Sequence, residues 1–432
     1  MSSGSHNAFV ARREADRAAE IFLKPSAWRH RFSHRLADAV LRLLIPVRKA
    51  RSRPEIGEMR KVLVFDIGGL GDVILAIPFL RSLRARLPGI HITLIGRPGT
   101  GSILVEQGLI NEWMPLRIPW TEKSSRWRAN NPFSVVWLRL IRDVLRLRVR
   151  GFDLAFVTGW SFDVRSNLVL WLSGARRRIA YGYAGGDFLL TDVVQPDLAR
   201  PHVVDRSLRL LEHIGAPVVS RERALTVTPE EARGAAEFLE RQGVEEDELV
   251  IGIHAGAGSA IREWGDERFG EVARWAAGRF GARILWFTDP AKPKPIPANV
   301  DAIRLALPFS QLIAVLSHCR LFICNDSGPM HVAAALGVPV VAVFGPQRPE
   351  WFGPYGEGHR IVIRHDIWCR PCADQCRWKE PHCLRLISVE HVMEAVRSRL
   401  ECLDSVPKVA GHTSVREFTE LRAHGAVGGI DA

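Results

Sequence analysis

Short apolar runs alternate with glycine-rich turns and amphipathic segments along most of this chain. The first clear apolar run is 61–67, and it is followed by a glycine-rich turn at 67–72, a helical pattern at 73–87 and a second apolar run at 91–96. A strand, a glycine-rich turn, a helix and a further parallel strand are typical of a Rossmann-type unit. The pattern therefore predicts an α/β fold for this part of the chain.

The same pattern begins again at 249–254, where an apolar run ends in a second glycine-rich loop. A helix is predicted at 267–280 and a strand at 283–288. The apolar run 321–324 is followed by turn and cap residues and, after a short helix, by a buried strand at 340–344. Two α/β halves of this kind predict two Rossmann-like domains that face each other across a cleft.

Changes in composition divide the chain further. Its 432 residues are enough for two or three domains. We predict five segments, which are a basic amphipathic N-terminal extension at 1–57, a first Rossmann-like domain at 58–220, a linker region at 221–247, a second Rossmann-like domain at 248–402 and a polar, glycine-rich tail at 403–432.

Positive charge is concentrated in two stretches. The net charge is +12, and residues 1–60 carry 13 Lys and Arg against 6 Asp and Glu, whereas 117–150 carry 9 against 2. Such patches favour an anionic membrane surface, a phosphorylated substrate or a nucleic acid, and a solvated basic face is the alternative. In the first stretch Leu36, Val40 and Leu43 recur at helical spacing among arginines. This predicts an amphipathic helix that lies either on a membrane or on the body of the protein.

The sequence also bears on the compartment. No apolar run approaches the length of a membrane-spanning helix, and the polar N-terminus is not a secretory signal. Seven cysteines in a chain of this length do not indicate a secreted disulfide scaffold. We therefore expect a cytoplasmic protein.

Four of the seven cysteines lie close together in the sequence. Cys369, Cys372, Cys376 and Cys383 fall within the stretch 369–383. Four thiols at this spacing can form a tetrahedral zinc site, two disulfides or an iron–sulfur cluster, and the spacing does not choose among them. A structural role is favoured over a catalytic metal, since a four-thiolate site has no open position.

Two positions have the chemistry of a ligand site. Asp72 follows the first apolar run, and ligands of open α/β sheets bind at the carboxyl ends of the strands. A helix begins near Gly328, and the free N–H groups and dipole of a helix N-terminus suit a phosphate. Without a ligand, Asp72 is an acid in the first turn of a helix and the second stretch is an ordinary βαβ turn. Taken alone, these stretches leave both interpretations open.

Three motifs occur in order along the chain. They are Gly-Leu-Gly-Asp-Val-Ile-Leu-Ala-Ile-Pro at 69–78, His254-Ala255-Gly256 followed by Arg262-Glu263-Trp264, and Asn325-Asp326-Ser327-Gly328-Pro329-Met330-His331. Together they resemble glycosyltransferase family 9, the ADP-heptose:lipopolysaccharide heptosyltransferases, and the resemblance covers roughly residues 60–400.

The resemblance implies a GT-B glycosyltransferase, whose N-terminal domain receives the acceptor and whose C-terminal domain holds the nucleotide sugar. It implies an inverting transfer that requires no metal or other cofactor, with Asp72 as the general base. Arg262 stands where the family usually has a lysine that contacts the donor phosphates, and Asp289 is expected to bind the nucleotide ribose. The residues that match donor-binding positions are His254, Arg262, Asp289, Asp326, Ser327, Gly328, Met330 and His331.

The family's acceptor is the lipid-anchored inner core of lipopolysaccharide, which is often phosphorylated. The resemblance therefore implies an ADP-sugar donor and a lipid-anchored oligosaccharide acceptor. It adds a peripheral contact of 1–57 with the inner face of the cytoplasmic membrane. Some family members also carry a cysteine cluster like that at 369–383. On the acceptor side we place the basic stretch 117–150 together with Gly71, Arg165, Arg176 and Arg177.

Three other functions compete with this one. A GT-B enzyme that uses a different nucleotide sugar and acceptor in cell-envelope glycan synthesis is the nearest alternative. A sugar-nucleotide epimerase of the same architecture is less favoured, because such enzymes use several carboxylates and histidines in the cleft. A nucleic-acid-binding protein fits the charge, but the sequence has no recognised nucleic-acid motif, and its tryptophans lie within apolar helices rather than on a stacking platform. We expect no nucleic-acid partner.

Overall fold

The computed structural model forms two compact units. The first is Met1–Ala224 with Pro346–Gly356 and Trp368–Lys379, and the second is Leu225–Gly345 with Glu357–Ile367 and Glu380–Ala432. The residues that the structure describes are 38–45, 55–99, 101–118, 135–159, 164–182, 185–197, 199–219, 225–372, 374–378 and 380–405.

The first unit is built on a parallel six-stranded sheet. Its strands follow the order β3-β2-β1-β4-β5-β6, so the chain reverses direction across the sheet between β1 and β4. This is the Rossmann order, and ligands of such sheets bind beside the reversal point. The strands are β1 (Lys61–Phe65), β2 (His91–Gly96), β3 (Glu112–Pro115), β4 (Leu154–Val157), β5 (Arg177–Tyr181) and β6 (Asp192–Val194).

One predicted helix of this unit is two helices in the structure. The pattern predicted a single helix at 73–87, but the chain forms α1 (Leu70–Leu75) and α2 (Ile77–Arg86). The break has a physical cause, since Pro78 has no N–H to donate to the carbonyl of Ile74 and its ring crowds that turn. The other helices of the unit are α3 (Ser102–Glu106), α4 (Val135–Leu147), α5 (Val164–Leu172), α6 (Val203–His213) and α11 (Pro349–Phe352).

The second unit repeats this topology. Its parallel sheet has the order β12-β11-β10-β7-β8-β9, and the reversal point lies between β7 and β10. Both sheets are parallel and carry helices, so the predicted α/β class is confirmed. The strands are β7 (Val250–His254), β8 (Arg283–Phe287), β9 (Ile303–Leu305), β10 (Leu321–Asn325), β11 (Val340–Phe344) and β12 (Arg360–Ile363).

Apolar burial holds the helices of the second unit against its sheet. Every residue of β7, β10 and β11 is buried, as expected for a parallel sheet covered on both faces. Trp264 and Phe269 meet edge to face, with ring centroids 5.0 Å apart, in the same apolar cluster as Trp286. The helices are α7 (Pro229–Arg241), α8 (Asp266–Phe280), α9 (Phe309–Leu316), α10 (Gly328–Ala335), α12 (His382–Arg385) and α13 (Val389–Ser405).

Part of the predicted N-terminal amphipathic helix is described, and it packs on the first unit. Residues 38–44 are helical. The carboxylate of Asp38 accepts a hydrogen bond from the N–H of Gly186 at 2.6 Å, and the guanidinium of Arg42 pairs with both Asp38 and Asp187. Val40 and Leu43 are exposed. The rest of the predicted helix, much of the stretch 117–150 and most of the predicted tail lie outside the described residues.

The four clustered cysteines do not form a metal site among the described residues. None of the seven cysteines is in a disulfide. Cys383 lies in the apolar core of the second unit, whereas Cys369, Cys372 and Cys376 belong to the first unit. Within the described ranges, no group of three or more His, Cys, Asp or Glu side chains is placed to hold a metal ion. A structural zinc site, which was one of three roles that the spacing left open, is therefore not formed by the described residues.

Candidate active site

Asp72 is held in place by the glycine loop that follows β1. Gly69 is the N-cap of α1, and its N–H donates to the Asp72 carboxylate at 2.8 Å. A Cβ on Gly68 would lie only 2.1 Å from the Cβ of Asp72. The loop therefore requires glycine at this position, because the Asp72 side chain already fills the space. An acid in the first turn is also favoured by the positive end of the helix dipole.

A second carboxyl group, that of Asp66, lies at the same loop. Asp66 directly follows β1 and is fully buried. Its carboxyl accepts hydrogen bonds from the N–H of Gly68 and the hydroxyl of Thr158, both at 3.0 Å. Burial, and then the charge of Asp72, raise the pKa of Asp66 to about 7. Asp66 is not among the site residues predicted from the sequence, although an acid directly after an apolar strand is a visible signal.

The predicted acceptor-side arginines differ in their surroundings. Arg177 forms a largely buried ion pair with Asp192, with 2.8 Å between nitrogen and oxygen. Arg176 is exposed and lies 3.7 Å from a carboxylate oxygen of Asp153. Arg165 is half-buried in α5, and Gly71 lies in the first turn of α1. The ion pair gives Arg177 a structural role in joining β5 to β6, and the acceptor-side assignments stay predictions.

In the second unit, His254 is the last residue of β7 and is 9% exposed. Its Nδ1 lies 3.1 Å from the carbonyl oxygen of Phe287, which can only accept, so Nδ1 carries a proton. Burial is the main cause that lowers the pKa of His254, and the positive charge of Lys294 contributes in the same direction. The lowered pKa favours the neutral imidazole near pH 7.

Asn325 joins the second and third sequence motifs. Its side-chain oxygen accepts from the backbone N–H of Trp264 at 3.0 Å, and its amide nitrogen donates to the carbonyl of Ala255 at 2.7 Å. The residue is fully buried at the end of β10. Because β10 pairs with β7 in register Cys324 to His254, this side chain reaches the loop after β7.

Arg262 and Asp326 form an ion pair at the loop that precedes α10. The guanidinium lies 3.2 Å from the carboxylate, and the side chains are 26% and 4% exposed, respectively. Ser327 is the N-cap of α10, yet its side chain makes no capping hydrogen bond. Its hydroxyl is buried and has no hydrogen-bond partner among the described residues. A buried, unused hydroxyl at a helix start is an open position for an anionic ligand.

Met330 and His331 do not expose their side chains at the start of α10. Both side chains are buried within α10. The N–H of Met330 belongs to the first turn, where an α-helix leaves its donors without intrahelical partners. Gly328, at the first position of the helix, adds a second such group.

A salt-bridged lysine, Lys294, pairs with the residue that follows Arg262 and was not predicted from the sequence. Lys294 lies 2.7 Å from a carboxylate oxygen of Glu263 and 3.1 Å from one of Asp266. Burial acts to lower the pKa of Lys294, but the two carboxylates outweigh it and the net pKa is raised. Asp289 is exposed after β8, and its carboxylate accepts from the N–H of Ala291 at 2.8 Å. Its predicted role at the ribose stays a prediction.

Comparison with known proteins decides the family. The model of glycosyltransferase family 9 (heptosyltransferase) matches residues 138–382, which is more than half of the chain. The chain belongs to glycosyltransferase family 9. The resemblance predicted from the three motifs is thereby confirmed, and so is the enzyme class, a glycosyltransferase.

Individual members of family 9 show how far the similarity extends. Lipopolysaccharide heptosyltransferase 2 of Escherichia coli strain K12 is 25% identical over 320 residues, which cover 70% of this chain and 87% of the relative. Lipooligosaccharide heptosyltransferase 2 of Campylobacter jejuni serotype O:2 is 34% identical over 87 residues, so the match covers 20% of this chain and only 27% of that relative. The crystal structure of a family 9 protein from Veillonella parvula superposes with a TM-score of 0.65 at 24% identity, covering 81% of this chain and 99% of that one. This structural match shows a shared fold.

Proposed function

We propose that this protein moves a heptose, or a related sugar, from an ADP-sugar to the inner core of a lipopolysaccharide, with inversion and without a divalent metal. The two relatives above are named as heptosyltransferases of lipopolysaccharide and lipooligosaccharide, which supports heptose as the sugar and this acceptor class. The observation that carries the proposal is the buried, unpartnered hydroxyl of Ser327 at the start of α10, next to the carboxylate that pairs with Arg262.

In this proposal the start of α10 binds the donor diphosphate. The Ser327 hydroxyl and the N–H groups of the first turn donate to the phosphate oxygens, and the helix dipole favours their charge. Asp326 is almost fully buried and holds the guanidinium of Arg262, which remains partly exposed and able to meet an anion. Donors that are already oriented stabilise the negative charge that develops on the leaving diphosphate. These groups therefore take the role that a cation has in other transferases.

The first unit supplies the base. The acceptor hydroxyl attacks the anomeric carbon, its proton passes to the carboxylate of Asp72, and the bond from the anomeric carbon to the diphosphate breaks with its electron pair on the leaving oxygen. A positioned carboxylate can accept a proton in this way, and such a group typically contributes a factor of about 10²–10⁴ to the rate. The attack displaces the diphosphate from the opposite face, so the anomeric configuration inverts.

The alternative is a glycosyltransferase that uses another nucleotide sugar. A donor-binding test distinguishes it from the proposed function by its nucleotide preference. We expect ADP and ADP-heptose to raise the melting temperature more than UDP-, GDP- or CDP-sugars do. The Arg262→Ala variant should bind ADP about 10- to 100-fold more weakly, because one charge-assisted hydrogen bond is lost. Thermal shift and calorimetric titration measure both effects.

A matched control is Arg241→Ala, since Arg241 is exposed at the end of α7 in the same unit. This variant should bind ADP as the wild type does. Unchanged ADP affinity in Arg262→Ala would remove Arg262 from the phosphate site, and a clear preference for another nucleotide would favour the alternative donor.

We also propose a peripheral membrane contact through α4 of the first unit, which is a different segment from the stretch 1–57 to which the sequence assigned this contact. The exposed face of α4 and the turn after it carry both apolar side chains and arginines, a combination that suits an anionic bilayer surface. None of the helices described is both long and apolar enough to cross a membrane. The exposed side chains are Val135, Leu138, Arg139, Ile141, Arg142, Leu145, Arg146, Arg148 and Val149.

Vesicle flotation tests this contact. We expect the protein to float with vesicles that contain phosphatidylglycerol and to remain largely unbound with pure phosphatidylcholine. Changing both Leu138 and Leu145 to Ser should reduce the bound fraction severalfold, because their exposed apolar surface no longer enters the interface. The control Val193→Ser alters an exposed valine of β6 in the same unit and should float normally. Equal partitioning of all variants into both kinds of vesicle would contradict the contact.

A further inference from the structure

Asp66 occupies a site that the chain has built around its carboxyl group. The side chain is fully buried, and its two oxygens accept from the N–H of Gly68 and the hydroxyl of Thr158. Gly159 has a left-handed φ of +69°, and a Cβ there would lie 2.8 Å from a carboxyl oxygen of Asp66. The residues that follow β4 therefore pack against the carboxyl group that follows β1.

The proposed base is adjacent to this acid. Consecutive amides of the glycine loop hold the two carboxyl groups, since Gly68 donates to Asp66 and Gly69 donates to Asp72. When one of two neighbouring carboxyl groups is ionised, its charge makes ionisation of the other less favourable. The more buried group retains its proton to higher pH. Burial, and then the charge of Asp72, raise the pKa of Asp66 to about 7, and the hydrogen bond from Thr158 opposes that rise.

We propose that Asp66 is a positioning residue for the transfer, whose negative charge, once this buried carboxyl is ionised, makes Asp72 a stronger base. This inference rests on the proposed role of Asp72 as the base. Asp66 itself takes no proton from the acceptor, whose proton goes to Asp72. The ionisation of Asp66 releases its proton to solvent before the transfer begins.

The competing role for Asp66 is structural, in which its carboxyl only anchors the loop through the N–H of Gly68. Asp66→Asn separates the two roles. The amide oxygen still accepts from Gly68 and the amide nitrogen can donate to the hydroxyl oxygen of Thr158, so the loop keeps its contacts. The amide has the shape of the neutral acid but does not ionise at any pH of interest.

The first test is the pH dependence of kcat for the full-length enzyme. In the wild type we expect kcat to rise by a factor on the order of 3 as the pH passes through 7, because proton transfer follows the strength of the base. Asp66→Asn should equal the wild type at pH 6 and lack the rise. Thr158→Val removes a hydrogen bond that lowers the pKa of Asp66, so the rise should move to higher pH. The same rise at the same pH in Asp66→Asn would overturn the proposal.

The second test does not depend on turnover. A carboxyl carbon-13 NMR titration of the wild type should contain one aspartate with a midpoint near pH 7 that is missing in Asp66→Asn. In Asp72→Asn this midpoint should fall, since the charge that raises it has been removed. An unchanged midpoint would contradict the pairing. Full activity of Asp72→Asn together with a lowered midpoint would leave the carboxyl pair intact and reject Asp72 as the base, so failure of the proposed function is distinguishable.

Discussion

Asp72→Asn is expected to lower kcat by roughly 10²–10⁴-fold, the usual contribution of a general base. The amide oxygen can still accept from the N–H of Gly69, so the start of α1 should be preserved. What is lost is the ability to take the acceptor's proton. Because the proposed donor site lies in the second unit, the affinity for ADP should change little. Steady-state kinetics and calorimetric titration with ADP measure these two quantities on the same preparation.

Two further variants make this result interpretable. Glu58→Gln removes an exposed carboxylate of the same unit and should retain wild-type kcat. Gly68→Ala keeps the Asp72 carboxylate but introduces a methyl group only 2.1 Å from its Cβ, so activity should fall because the base is displaced. Wild-type activity in Asp72→Asn would reject the base assignment.

Asn325→Ala is expected to destabilise the second unit by roughly 2–5 kcal/mol and to weaken donor binding in the surviving protein. The substitution leaves the N–H of Trp264 and the carbonyl of Ala255 buried without their partner, and each unsatisfied group costs about 1–3 kcal/mol. The loop after β7 and the turn that carries Arg262 would lose the side chain that joins them. Urea unfolding gives the free energy, and ADP titration gives the affinity.

The matched control for Asn325 is Gln311→Ala, an exposed amide of α9 in the same unit. A surface change of this kind normally shifts stability by no more than about 0.5 kcal/mol. If Asn325→Ala is no less stable than Gln311→Ala, the bridging hydrogen bonds do not carry the stability assigned to them.

Regular elements of the fold were predictable because burial leaves a periodic trace in the sequence. The strands at 91–96 and 340–344 have the predicted bounds, and the second is a continuous apolar run between a proline and a glycine. The prediction of a single helix at 73–87 was wrong, since the chain forms two helices that are divided at Ala76. That division follows from a proline inside an apolar helical pattern, which the periodicity alone does not register.

The contacts of the candidate site were less accessible to the sequence. Thr158 meets Asp66 although 92 residues separate them, because β4 pairs with β1. Likewise, Asn325 reaches Ala255 only because β10 pairs with β7. Sequence motifs identified the loops at the strand ends, whereas the strand order determined which loops meet. The ion pair of Lys294 with Glu263 is indicated neither by a sequence motif nor by the strand order.

The most direct test of the proposed function is transfer itself, followed by the anomeric configuration of the product. The wild-type protein is incubated with ADP-heptose of defined configuration and a lipopolysaccharide inner core that lacks the accepting heptose, in the presence of a metal chelator. We predict that one ADP is released for each heptose transferred and that NMR of the product shows the opposite anomeric configuration. Retention of configuration, loss of activity with the chelator, or transfer only from a sugar carried by another nucleotide would contradict the proposed function.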